Sequence, residues 1–345
     1  VYLAIDLGTG SVKLMLIDAG GRELVSSRSY PIDAPESGFA ETDPEAWLDA
    51  IRDAAAELPD LSGLRAIGLS GQMHGVVATR LDGPSSVGKA ILWADQRGMK
   101  YLGRFEGIGP DMARRMSNAP AAGLTASTLL WLKHERPGFL ESFDLCLFPK
   151  DYIRARLTGK AATDHSDASG SLMYDFRDRA WYGELIDSLG LPRGILPEIR
   201  GSSEIAGSVT AEASRRLGLP EGVPVAVGMA DVTAAMYGID LVDPREVQVS
   251  VGTAAQVSKP IPTDRLPDWN PSLNVYEGAL PQLRYRVAAM LNAGIALEWV
   301  RGLFRREWRE IYSGLESRGL DRPLELGFLP YLTGERTPHM NPDAR

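Results

Sequence analysis

Val1-Tyr2-Leu3-Ala4-Ile5-Asp6-Leu7-Gly8-Thr9-Gly10-Ser11 opens the chain. An apolar, strand-like run ends in a tight glycine turn, and Val12 to Asp18 then resumes the pattern. After Ala19-Gly20-Gly21-Arg22 a third run extends from Glu23 to Ile32, so a three-stranded antiparallel meander is expected. Asp43-Pro44-Glu45 has the marks of a helix start, with Asp43 as cap and Pro44 in the first turn. Trp47, Ile51, Ala54 and Ala55 then fall at helical spacing. Leu64 to Ser70 reads as a short buried strand. Residues 1–70 therefore predict the order β-β-β-α-β.

Further along, Asp151 to Leu157 reads as a helix that stops at Thr158-Gly159. Around Pro220-Glu221-Gly222 the pattern restarts, with a strand over Val223 to Met229, a helix over Asp231 to Tyr237 and a strand over Val247 to Val251. A domain boundary is placed here, giving units 1–222 and 223–345. Ser250-Val251-Gly252-Thr253, followed by the apolar Ala254 to Val257, echoes Ile5-Asp6-Leu7-Gly8-Thr9 followed by Val12 to Leu16. Two strand-turn-strand hairpins, one per half, point to an ancient internal duplication.

The composition narrows the function classes. With 345 residues, 44% hydrophobic and 24% charged, the chain is ordinary globular protein of about two domains. A net charge of −8 with scattered arginines gives no basic stripe, which argues against a nucleic-acid partner. One cysteine, Cys146, allows neither an intrachain disulfide nor a zinc cluster, and a reducing compartment fits it. No basic segment precedes an apolar stretch at the start, so no secretion signal is read there. Met116 to Leu132 is charge-free but broken by Asn118, Pro120 and Gly123, and it falls short of the ~20 mostly apolar residues of a membrane span. A soluble cytoplasmic protein without membrane attachment is expected.

Several constellations could carry chemistry. In Asp6-Leu7-Gly8-Thr9-Gly10, a glycine turn lets backbone N–H groups approach a phosphate, the Thr9 hydroxyl adds a donor, and the Asp6 carboxylate can hold magnesium through water. Taken alone, such a segment is more often only a turn. The second turn at Gly252 and Thr253 strengthens the phosphate reading, because two opposed hairpins can grip a polyphosphate. Asp231 opens a helix after a strand, where a carboxylate serves either as a helix cap or as a catalytic base. Gln72-Met73-His74 lies in a glycine-flanked polar turn suited to a small polar ligand, although a lone loop histidine is commonly just solvated. Trp93-Ala94-Asp95-Gln96-Arg97 offers an aromatic, a carboxylate and a guanidinium, or only a surface ion pair.

Other matches fail. Gly83-Pro84-Ser85-Ser86-Val87-Gly88-Lys89-Ala90 lacks the final Ser or Thr of a phosphate-binding P-loop and runs into a strand. The Gly8, Gly10 pair lacks the third glycine of a dinucleotide fingerprint. Gly68-Leu69-Ser70-Gly71-Gln72 has glutamine where a hydrolase elbow needs glycine. Asp164 and Asp167 lack calcium-loop spacing and read as turn or cap residues. Trp299, Leu303, Trp308, Ile311 and Tyr312 fit one helical face packed in the core.

In their order, the motifs resemble the FGGY carbohydrate kinases of the actin-like ATPase superfamily, most of all the xylulokinases. The matching segments begin with Ala4 to Thr9, Leu69 to Gly75, Ile91 to Arg97 and Phe148-Pro149-Lys150-Asp151-Tyr152-Ile153-Arg154. They continue with Thr163-Asp164, Ser166 to Gly170, Val227-Gly228 with Asp231, Ser250 to Thr253, and Gly334-Glu335-Arg336-Thr337-Pro338. The resemblance implies an α/β protein of two ribonuclease-H-like lobes with mixed sheets, the second incomplete in this chain, closing on ATP, Mg2+ and a sugar. It implies Asp231 as the base that takes the proton of the sugar hydroxyl and Asp6 as the magnesium residue. It assigns Gly8, Thr9, Gly10, Gly252 and Thr253 to phosphate binding, and Gln72, Met73, His74, Asp95 and Asp231 to the sugar. The implied reaction is D-xylulose to D-xylulose 5-phosphate. Another ketopentose such as ribulose, a polyol, or a non-catalytic sugar or nucleotide sensor is the alternative, and a homodimer is compatible.

Two departures from the family pattern bear on this. Met229-Ala230-Asp231-Val232 stands where xylulokinases carry Gly-Gly-Asp-Asn, so an aliphatic side chain replaces an amide. The chain also stops at Arg345, before the family's glycine-rich adenosine segment, so the adenosine pocket is expected beyond residue 345 and nucleotide affinity of this chain alone is expected to be weak.

Overall fold

The computed structural model describes residues 1–318, 327–332, 334–341 and 343–344. The chain begins with β1 (Tyr2–Leu7), β2 (Ser11–Ile17), β3 (Glu23–Ser29), α1 (Pro44–Ala55) and β4 (Ala66–Gly71), apart from one two-residue strand the expected β-β-β-α-β order. Asp43 caps α1 by accepting the Glu45 N–H at 3.0 Å. Trp47, Leu48, Ile51, Ala54 and Ala55 form its buried stripe, packed with Leu3, Ile5, Val12 and Leu14 from the sheet. Helix α2 (Pro149–Thr158) ends at Gly159, whose left-handed φ of 68° stops it where the sequence predicts. A short helix, α3 (His165–Ser169), is capped by Asp164.

Strands β5 (Ile205–Ser208), β6 (Pro224–Ala226) and β7 (Met229–Ala230) complete the first sheet. Its order is β5-β6-β4-β1-β2-β3, with β7 also on β4. β1 and β4 are parallel, as are β6 and β7 with β4, whereas the β1-β2-β3 meander is antiparallel, so the sheet is mixed. The single strand expected over Val223 to Met229 is two, because Gly228 turns between them at a φ of 85°. This first sheet also runs past the expected boundary at residue 222, since Val225 pairs with Ile67 and Ala230 with Gly71.

Helix α4 (Asp231–Gly238) leads to the second sheet, of β8 (Gln248–Val251), β9 (Ala255–Pro262), β10 (Asn274–Glu277) and β11 (Leu283–Met290), ordered β8-β9-β11-β10. All its pairings are antiparallel, and the parallel crossover of the first sheet has no counterpart among the described residues of the second. The expected core helix over Trp299 to Tyr312 is instead two helices, Gly294–Phe304 and Trp308–Arg318, separated at Arg305 in left-handed conformation. Trp299, Leu303 and Tyr312 are 47%, 61% and 57% exposed, so core packing does not explain their spacing. Among the described residues no helix is long and apolar enough to cross a membrane.

Candidate active site

A cavity of about 310 Å³ opens where the two sheets meet. From the first lobe it takes Thr9, Met73, His74, Trp93 and Gly123, and from the second Gln256, Asn274, Tyr276 and Ala289, with Asp231, Val232 and Arg336 also on its wall. Parallel pairing of β1 with β4 places Asp6 beside Ser70, whose hydroxyl donates to Asp6 Oδ1 at 2.7 Å. Immediately after β4, the chain turns through Gln72, Met73 and His74. His74 has a φ of 69°, and its carbonyl accepts the Thr125 hydroxyl at 3.0 Å.

Burial pushes the His74 imidazole down to about 4, with the Arg336 charge adding to the effect, so the ring is neutral near pH 7. Its Nδ1 lies 2.9 Å from the Gly170 carbonyl oxygen, which can only accept; Nδ1 therefore carries the hydrogen and Nε2 keeps its lone pair. A Cβ on Gly170 would stand 2.6 Å from the ring, so glycine permits this contact.

At the first hairpin turn, of Asp6, Gly8, Thr9 and Gly10 only Thr9 lines the cavity. Gly8 N–H bonds to the Ser11 carbonyl at 3.0 Å, and the Gly8 carbonyl is held by the Tyr30 hydroxyl and by Gln72 Nε2. Thr9 accepts from the Trp93 indole at 2.9 Å. Gly123 lies flat against the Trp93 backbone, where a Cβ would come within 1.7 Å of the carbonyl oxygen. In the second lobe Gly252 and Thr253 form the turn between β8 and β9. Their carbonyls accept N–H groups of Gly294 and Ile295 at 2.8 and 3.1 Å, seating a helix start on this hairpin.

Asp231 stands at the junction of β7 and α4. Burial raises its carboxyl to about 6, and the nearby Asp6 charge adds to the rise while the Val232 N–H, bonded at 2.7 Å, opposes it. Such a carboxylate is ionised near neutral pH yet basic enough to accept a proton.

The other sequence candidates lie elsewhere. Gln72 is buried against the first hairpin and does not line the cavity. Asp95 is fully buried, accepting from Arg97 and from the Ala40 backbone, and likewise stays off the cavity wall. The surface ion pair considered for Asp95 and Arg97 is an interior one. Gln256, Asn274, Tyr276 and Ala289 were not singled out by the sequence. Register brings them together: Gln256 pairs directly with Ala289, and Asn274 and Tyr276 are two apart on one face of β10. That alternation is the only signal the sequence carries for them.

Among the described residues no three or more His, Cys, Asp or Glu side chains converge as a metal cage. The carboxylates here are the partly buried Asp6 and its neighbour Asp231, a sparse donor set that suits a magnesium ion keeping most of its waters.

Residues 1–238 match the N-terminal domain of the FGGY family of carbohydrate kinases. The chain belongs to this family and is a carbohydrate kinase. It is 33% identical over 351 residues to the xylulose kinase of Escherichia coli K12, covering 100% of this chain and 72% of that protein. It is also 33% identical over 354 residues to the xylulose kinase of Lactococcus lactis, covering 99% and 70%. The crystal structure of a xyloylose kinase from Brucella ovis superposes with a TM-score of 0.91 at 31% identity, over 100% of this chain and 72% of that one.

Proposed function

We propose that the protein transfers the γ-phosphoryl group of ATP to D-xylulose, giving D-xylulose 5-phosphate and ADP, with Asp231 as general base. The observation that carries this reading is the placing of Asp231, a carboxylate tuned to about 6, on a cavity wall shared with Met73, His74 and Thr9. Relatives named as xylulose kinases over the whole chain support the choice of sugar.

In the transfer, the sugar hydroxyl oxygen forms its bond to the γ-phosphorus as the bond to the ADP oxygen breaks, and the hydroxyl proton passes to an Asp231 carboxylate oxygen. Phosphoryl transfer runs through a loose transition state, so most of the protein's contribution is positioning and electrostatics. Met73 and neutral His74 hold the sugar; a lone pair at Nε2 suits a hydroxyl donor. Gly8, Thr9 and Gly10 on one hairpin and Gly252 and Thr253 on the other hold the phosphates. Asp6 would hold magnesium, which when bound neutralises charge on the phosphate oxygens. A reducing cytoplasm suits the one cysteine, buried and unpaired.

Val232 favours a second reading. It lines the cavity with an aliphatic side chain, so a ketopentose or polyol with an apolar edge there, such as ribulose, is the competing substrate. The test is ADP release with ATP and magnesium across D-xylulose, other ketoses and polyols. Stimulation by D-xylulose above the rest supports the proposal; preference for another sugar moves the assignment to it, and no stimulation by any sugar would favour the sensor reading.

A further inference from the structure

The short segment that delivers Asp231 to the cavity is gripped from behind by a wholly buried charge cluster. Lys150 Nζ lies 2.7 Å from Asp151 Oδ1, 2.9 Å from Asp164 Oδ1 and 2.8 Å from Asp167 Oδ2, and all four side chains are sealed from solvent. Arg154 joins by bonding Asp151 Oδ1 and the Val227 carbonyl, each at 2.7 Å. The second oxygen of Asp164 accepts hydroxyl protons from Ser166 at 2.5 Å and Ser202 at 2.9 Å. Ser166 Oγ in turn accepts the backbone N–H of Ala230 at 2.8 Å.

We propose that Ser166 is the positioning residue for the catalytic carboxylate, holding the Ala230 peptide, and with it Asp231, through a hydroxyl whose direction is fixed by Asp164 and Lys150. The direction follows from donor and acceptor bookkeeping. An ionised carboxylate only accepts, so the Ser166 hydroxyl must donate to Asp164 and present its lone pairs to Ala230. Burial alone would neutralise Asp164, but the Lys150 ammonium and the Ser166 bonds outweigh it and hold the carboxyl below its ordinary value. Asp167 takes the opposite course: burial, with the charges of Asp164 and Asp151, raises it well above the ordinary range against the pull of the Lys150 ammonium.

The same short helix also touches the other walls, since Ser169 Oγ accepts the Glu277 N–H at 3.0 Å and Gly170 meets His74. Of these contacts, the one from Ser166 goes to the peptide just before Asp231, so its loss should act on turnover and spare sugar binding.

The inference rests on Asp231 being the base. The test compares the full chain with its Ser166→Ala and Ser166→Thr variants. In Ser166→Ala, kcat with the best sugar from the panel should fall roughly 10- to 100-fold, the size expected when a reacting group is misplaced by about an ångström, with KM nearly unchanged. Ser166→Thr, which keeps the hydroxyl, should recover most of it. A lower melting temperature with unchanged kcat, or no recovery in a Ser166→Thr protein that melts like the parent, would overturn the proposal. Amide hydrogen exchange decides the contact without turnover: residues 229–232 should exchange faster in Ser166→Ala than in the parent, and equal rates would sink the idea. A complete parent protein inert to every sugar would remove the proposed substrate and base, while the exchange result still judges the Ser166 grip.

Discussion

Among single residues, Asp231 has the most to reveal about the proposed chemistry. Its carboxyl is raised from an ordinary 3.8 to about 6, chiefly by burial. A base works only when ionised, so kcat/KM should fall about tenfold per pH unit below about 6, while His74, already neutral above about 4, adds nothing to that limb. Asp231→Asn should lower kcat by roughly 10²- to 10⁴-fold, the usual worth of a positioned base, and remove the limb. Stability should move the other way. Between 3.8 and about 6 the folded state binds the proton more tightly than the unfolded chain, so the stabilising contribution is complete at low pH and is lost as pH rises through about 6. Asp231→Asn should therefore raise the melting temperature at pH 7.5 and leave it nearly unchanged at pH 4. An equal shift at both pH values would show that burial does not strain this carboxylate.

At the element scale the decisive piece is the strap from β6 through Gly228 to β7. Gly228 takes a φ of 85°, and a Cβ there would lie 2.5 Å from the Leu69 carbonyl of β4. Gly228→Ala should destabilise the protein by about 2 kcal/mol or more, from backbone strain and the clash together, and should also reduce kcat because the proposed base rides on this strap. Chemical denaturation and steady-state kinetics on the same sample check both; a variant as stable and active as the parent would mean that the strap tolerates a side chain. The strap also marks how far sequence reading reaches. The meander, the capped α1 and the Gly159 stop were legible because local chemistry sets them. His74 and Asp231 drew notice by their place at element boundaries and Met73 through the family resemblance, and all three line the cavity. Gln256, Asn274 and Tyr276 were not, since their roles depend on which strands pair and in what register. Lys150 was quoted only within a family segment and given no role, because two of its three carboxylates, Asp164 and Asp167, lie far along the chain and meet it only in the fold. The exposure of Trp299 and Leu303 ran against their periodicity, which reports amphipathicity but cannot say what covers the apolar face.

At the scale of the whole molecule, the question is what holds the second sheet to the first lobe so that one cavity forms between them. The join is polar and buried. Asn118 bonds the Ser169 and Val275 carbonyls with its amide and accepts the Val275 N–H, clamping β10 beside α3. Next to it the buried Glu277 carboxylate meets Arg284 at 3.0 Å and Arg179 at 2.6 Å, while Arg284 also donates to the Phe176 carbonyl across the join. Burial pushes Glu277 above its ordinary value even so, with the two guanidinium groups pulling the other way. Removing one partner of a buried ion pair strands the other charge, so Arg284→Met, which keeps much of the volume, should cost about 3 kcal/mol of stability. The stranded group can escape by protonating, and the deficit of Arg284→Met relative to the parent should shrink as pH falls toward 5. Adding Glu277→Gln should recover part of the loss at neutral pH, because the buried carboxylate is then gone and the Arg179 guanidinium that loses it is partly open to water. Thermal unfolding of the three proteins at pH 5 and pH 7.5 provides the check. A pH-independent deficit, unrelieved in the double variant, would mean that Arg284 joins the lobes by packing and by its Phe176 contact rather than by balancing Glu277.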